Sequence, residues 1–282
     1  MQRQMTQVQL AGDSVSRNMV SLIEHGRATP SIQTLEAIAE KLKVSAAFLA
    51  ADDGEQAILL KAEKLSDIRL AFKGGNYRIC VDLCQRLYEY GSGNDDELDL
   101  ILAESFLAVA REGFSGDQLR ACCLWLDEAV FYAKRTAYHS EHVISAAWTY
   151  FEYLRYLSPS FVSENLDSDY VPQQIPRADV YCRYIEMLLG KGGSDFAITP
   201  SDSPAATLLA KHIFARGEME KGNFEVAGNA ISEIFHSPDL LPGVIMYHVF
   251  CDMEECCRYL GNQKTEAYCR ETKLSLFEKL LS

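Results

Sequence analysis

The sequence predicts an all-α fold: a small N-terminal helical domain followed by an α-solenoid of helical hairpins. Apolar residues recur at three- and four-residue intervals nearly to the C-terminus, and no stretch alternates apolar with polar as a half-buried strand would. Similar reversals interrupt the pattern at Gly75-Asn76-Tyr77, Gly116-Asp117-Gln118, Gly222-Asn223-Phe224 and Gly261-Asn262-Gln263. A hydrophobic content of 48% over 282 residues supports one small and one large core.

Caps set the first elements. Thr6 suits an N-cap, and Val8, Leu10 and Ala11 give residues 7–11 enough apolar character for a short helix, which Gly12-Asp13 ends. Ser16 caps a second helix that turns Val20 and Ile23 inward with Val15 and leaves Arg17, Asn18, Ser21 and Leu22 on the outer side. Glu24-His25-Gly26 closes it with a C-terminal glycine, and Arg27-Ala28-Thr29-Pro30 makes an extended turn. Ser31 then caps residues 32–42, whose apolar stripe is Ile32, Leu35, Ile38, Ala39 and Leu42. Two short helices around a tight turn, with a polar outer face on the second, fit a major groove about 12 Å wide.

The strings TQxxLA, VSRNMVSxIEHG and PSxxTLxxIAEKLxVS, over about 45 residues, resemble the helix-turn-helix domain of phage repressors and Cro, the Xre-type transcription regulators. The resemblance implies a double-stranded DNA operator as partner. By it, Gln7 begins the positioning helix against the phosphates, and Ser16, Arg17 and Asn18 begin the recognition helix. Ser21 and Leu22 lie where the family often adds a groove contact, and Arg27 and Thr29 where the following loop touches the backbone. The family's first helix normally precedes the Met-Thr-Gln, so the resemblance implies a truncated, marginal domain over residues 1–51. The turn at Gly12-Asp13-Ser14 is one residue shorter than the commonest pattern.

Beyond a short acidic linker, Ala51-Asp52-Asp53-Gly54, helices are expected in pairs over residues 56–73 with 77–90, 97–112 with 117–135, 140–157 with 178–189, 205–221 with 224–235, and 244–260 with 264–281. Reversal spacings of 41 residues in the first pair and 39 in the last lie near a helical repeat period. The reversals, followed by small residues such as Cys80 and Ala227 at the helix crossings, resemble degenerate tetratricopeptide repeats over residues 55–282. An irregular helical bundle is the alternative.

Net charge is −13, but it is uneven: residues 1–50 hold five Lys/Arg against four Asp/Glu, while the remaining 232 hold 22 against 36. Only the N-terminal part suits a phosphate partner, and its thin charge calls for two linked copies, a homodimer. The nine cysteines are odd in number and scattered, which suits reduced buried thiols and a cytoplasmic protein. No signal peptide or membrane span is evident.

Three other constellations point to no cofactor or metal. His139-Ser140-Glu141-His142 lacks a third ligand; Cys251, Cys256 and Cys257 lack zinc-knuckle spacing; and Gly190-Lys191-Gly192-Gly193-Ser194 lacks the P-loop order. Nucleophile, base and orienting group cluster nowhere, so an enzyme is not expected. Trp148, Tyr150, Phe151, Tyr153 and Tyr156 make one helix richer in aromatics than a core face requires. Trp148, Tyr150, Tyr153 and Tyr156 are candidates to line a concave groove for a short peptide or protein effector. The function expected is a bacterial-type transcription regulator with a helical-repeat sensor and dimerisation body. The alternative is a repeat scaffold that binds protein and has lost DNA binding.

Overall fold

A computed structural model of the chain describes residues 5–12, 15–89, 95–166, 170–172, 178–191, 198 and 203–281. Every regular element among them is helical, as the periodicity predicts. The chain divides into two compact units, Met1–Asn94 and Asp95–Ser282.

The first unit holds α1 (Gln7–Leu10), α2 (Arg17–Glu24), α3 (Ile32–Leu42), α4 (Ala46–Ala50), α5 (Asp53–Lys73) and α6 (Tyr77–Glu89). Thr6, Ser16, Ser31 and Ser45 cap the first four, each in an extended conformation with its hydroxyl accepting the N–H three residues on. Val15, Val20 and Ile38 form a small core, with Leu10, Ile23, Ala37, Leu42 and Leu49 packed against it. Ile32, expected in this stripe, is instead 77% exposed, because it lies on the first turn of α3 outside that cluster. Lys41 donates across to the Ala11 carbonyl, passing over Gly12, where a Cβ would meet its Nζ at 2.5 Å. The other two residues of the short turn, Asp13 and Ser14, lie outside the described residues.

The acidic stretch expected as a linker is the start of α5. Asp52 is its N-cap, and Glu55 completes a capping box by accepting the Asp52 N–H at 3.2 Å.

The second unit holds α7 (Asp96–Ser115), α8 (Leu119–Arg135), α9 (Glu141–Leu157), α10 (Val180–Leu188), α11 (Pro204–Glu220), α12 (Phe224–Ile234), α13 (Gly243–Leu260) and α14 (Gln263–Leu281). Helices α5 with α6, α7 with α8, α11 with α12 and α13 with α14 pack as neighbours across short reversals. Three of these reversals place a glycine in the left-handed region: Gly75, Gly222 and Gly261, with φ of 73°, 80° and 70°. In each, the next residue donates its N–H to a carbonyl five back: Asn76 to Ala71, Asn223 to Glu218 and Asn262 to Cys257.

The fourth reversal corrects the expected alignment by one residue. Its left-handed position is Asp117 (φ 58°), not Gly116, and Gln118 makes the equivalent bond to Gly113. Five residues beyond the left-handed position come Cys80, Cys122 and Ala227, all fully buried where the second helix crosses the first. The exception has a tertiary cause, since the Asp117 carboxylate accepts the N–H groups of Gly243 (2.8 Å) and Val244 (2.9 Å) and so caps α13 from 126 residues away. A carboxylate at a helix N-terminus satisfies orphan donors and meets the favourable end of the dipole, which offsets the cost of a left-handed aspartate. We expect Asp117→Ala to destabilise by about 2 kcal/mol and Asp117→Gly by about 1, because glycine loses the cap but not the backbone conformation. Urea unfolding would check this, and equal losses for the two would contradict it.

The pairing expected between α9 and the segment at 178–189 is looser than the others. After α9 the chain turns back over α8, where Asp127 accepts the N–H groups of Glu164 and Asn165, both at 3.1 Å. Asp179 caps α10 through Tyr181 and Cys182. The glycine loop after α10 begins with left-handed Gly190, and Gly192-Gly193-Ser194 lies outside the described residues.

Candidate nucleic-acid interface

Val20 fixes the orientation of α2. It is 1% exposed in the small core, so the opposite side of an eight-residue helix faces outward. Ser16, Arg17 and Asn18, from the cap and first turn, are exposed together, with Met19 beside them at 39%. Ser21 and Leu22 are half-buried further along, and Arg27 and Thr29 are exposed on the loop that follows.

Gln7 is half-buried at the start of α1, where its Nε2 donates to the Glu24 carboxylate at 2.7 Å. That bond ties the start of α1 to the end of α2 and holds the two helices at a set angle. Left-handed Gly26 (φ 65°) lets the chain leave α2, and the Arg27 N–H closes back on the Leu22 carbonyl at 2.8 Å. His25, in the sequence that closes α2, has a capping role of its own. Its Nδ1 lies 2.6 Å from the Ser21 carbonyl, so it caps the end of α2, and its place just before Gly26 is the only sequence signal for that.

The four aromatic groove candidates of α9 separate. Tyr150 and Tyr153 are fully buried: the Tyr150 hydroxyl donates to the Asp179 carboxylate (3.1 Å) and the Tyr153 hydroxyl to the Val244 carbonyl (3.0 Å). They are core residues that find partners for their polar ends, not groove walls. Trp148 and Tyr156 do line a cavity of about 720 Å³, with Arg155, Phe161 and Lys191. The Lys191 ammonium lies 4.5 Å from the Trp148 ring centre and pairs with Glu152, which partly fills that wall.

His139 is exposed and His142 pairs with Glu104, so the two imidazoles do not converge. No helix of the described residues is long and apolar enough to cross a membrane. All nine cysteines are free thiols, and eight of them are buried.

Residues 1–49 match a helix-turn-helix family model, the segment in which the four caps, the small core and the exposed first turn of α2 occur together. No curated protein and no solved structure matches the chain. The matched segment supports a DNA-binding regulator in general.

Proposed function

We propose that the chain, with a helix-turn-helix at residues 1–49 as premise, is a sequence-specific transcription regulator. Its reader spans residues 1–51 and its helical-repeat body residues 55–282. The observation that carries this reading is the outward first turn of α2, where Ser16, Arg17 and Asn18 stand exposed over a buried Val20. A guanidinium pairs with guanine and a carboxamide with adenine at major-groove edges, so Arg17 and Asn18 are the base readers in this proposal. Gln7, Arg27 and Thr29 position the helix against phosphates, and Ser21 and Leu22 add groove contacts.

The thin charge of the reader means that one copy binds weakly, so the regulator works as a homodimer on two half-sites. The cavity bordered by Trp148 and Tyr156 is the proposed effector site, and its mixture of aromatic, cationic and apolar walls suits a short peptide or protein segment.

Selection of binding sites from random duplexes, followed by anisotropy titration, tests the reader. Arg17→Ala or Asn18→Ala should cost about 1–3 kcal/mol on the selected site and relax preference at one position. Arg27→Ala should weaken all sequences alike and flatten the salt dependence. Recovery of no preferred sequence, or unchanged affinity and base preference in all three variants, would remove the assignment in favour of a protein-binding scaffold.

A further inference from the structure

Helix α5 packs on α6 through Ile68, which is fully buried, and most of its opposite side is open. Glu55, Ile58, Ala62, Ser66, Leu70 and Lys73 are exposed there, with half-buried Leu59 and Leu65 between them. At 3.6 residues per turn the stripe subtends about 140°. Ile58 and Leu70 are 69% and 73% exposed. Two shallow grooves run end to end along the stripe, one lined by Ala47, Ala51, Ile58 and Leu59 and the other by Ala62, Leu65, Leu70 and Lys73. Helix α4 borders only the start of this stripe, so the exposed Ile58 and Leu70 call for a further partner.

We propose that this stripe is the dimerisation surface and that its occupant is α5 of a second copy, packed antiparallel about a two-fold axis at residue 64. This deepens the homodimer reading above by naming the surface. The stripe is self-complementary when reversed. Pairing about residue 64 sets Glu55 of one copy level with Lys73 of the other at both ends, and Ile58 level with Leu70. Near the axis, Ala62 meets Ser66, and two small side chains there let the backbones approach. A parallel pairing would instead place Glu55 beside Glu55 and Lys73 beside Lys73. The isologous pairing is the commonest homodimer symmetry. A 21-residue helix is about 30 Å long, and one such contact covers less than the roughly 800 Å² per partner of a standard interface. The dimer is accordingly weak by itself and is strengthened when both readers engage one duplex.

Sedimentation of the full chain without DNA at tens of micromolar tests the pairing apart from any reading of bases. The wild type should be a dimer in exchange with monomer, and Leu70→Asp and Ile58→Asp should each weaken association at least tenfold. Their circular dichroism, and their Tm at dilutions where the wild type is monomeric, should be unchanged, because both side chains are exposed. Orientation is tested by cross-linking with a short bismaleimide against the wild-type background. Ser66→Cys should join to its counterpart near the axis, whereas Leu70→Cys should not, since antiparallel packing puts those two positions about 18 Å apart along the helix. A monomeric wild type overturns the proposal, as does a dimer indifferent to both aspartates. Leu70→Cys joining as readily as Ser66→Cys, or a monomer whose Tm falls with Leu70→Asp, overturns it too. The last outcome would mean that the chain's own body covers the stripe.

Discussion

Asp179→Ala should be the most destabilising single change in the second unit, at about 3 kcal/mol or more. One carboxylate there joins three helices: it pairs with the Arg111 guanidinium at 2.6 Å and accepts from three donors, the Tyr150 hydroxyl at 3.1 Å and the N–H groups of Tyr181 and Cys182 that open α10. Its side chain is 6% exposed, so truncation leaves a phenol and two amides with no substitute partner. The Arg111 side chain is 36% exposed and can turn partly to water, which keeps the expected loss at the lower end of the 3–5 kcal/mol range for a broken buried pair. Asp179→Asn retains acceptors for Tyr150 and the helix start but not the charge, and should cost about 2 kcal/mol. Arg111→Met on top of Asp179→Asn should recover part of the loss. Urea unfolding of the set decides this. If Asp179→Ala loses under 1 kcal/mol, or Asp179→Asn loses as much as Asp179→Ala, the account of shared donors is wrong.

Stability should fall steeply with acid because of His248. The imidazole is 5% exposed on α13, and burial first, then the neighbouring His212, pushes its pKa down from 6.5 to about 3. The unfolded chain therefore takes up a proton below about pH 6.5 that the fold refuses, so this contribution is intact above pH 6.5 and is lost as pH falls toward 3, at up to about 1.4 kcal/mol per unit. Two effects modify the size. Asp252 acts in the same direction: burial raises its pKa, but the His212 hydrogen bond and charge and the Arg216 charge outweigh that and hold it below the usual carboxylate range. Against both, the rings of Tyr153, Tyr156 and Tyr247 lie 5.3–5.6 Å from His248, and aromatic faces stabilise an imidazolium. A net loss of about 2 kcal/mol between pH 6.5 and 4 is expected relative to His248→Phe, which fills the space without titrating. Unfolding curves for the two proteins that run parallel over this range would show that His248 is not the acid-sensitive group.

The buried neighbourhood of His248 was not legible in the sequence. The Tyr184 hydroxyl lies 2.7 Å from His212 Nδ1, and His212 Nε2 lies 2.9 Å from Asp252, a chain that joins α10, α11 and α13 through residues up to 68 positions apart. Each of these side chains looks alone like an ordinary polar residue on a helix. The aromatic run of α9 was misleading for a similar reason. Spacing puts Trp148, Tyr150, Tyr153 and Tyr156 on a helix, but which of them are core depends on what packs there, and Tyr150 and Tyr153 are claimed by Asp179 and Val244.

What the sequence determined by itself was local. The caps at Thr6, Ser16 and Ser31, the reversals at Gly75, Gly222 and Gly261, and the inward set of Val15, Val20 and Ile23 are written within one or two turns of chain, where hydrogen bonds and φ preferences depend on near neighbours. The helix-turn-helix was legible because nearly all its signals are of this kind. The tertiary structure decided the rest. It moved the left-handed residue of one reversal from Gly116 to Asp117, because the N–H groups of Gly243 and Val244, 126 and 127 residues away, needed an acceptor. It turned the acidic linker into the start of α5 and left Ile58 and Leu70 of that helix exposed. Long-range partners set these outcomes, since a buried polar group must be satisfied by whatever the fold brings to it, and no local pattern carries that information.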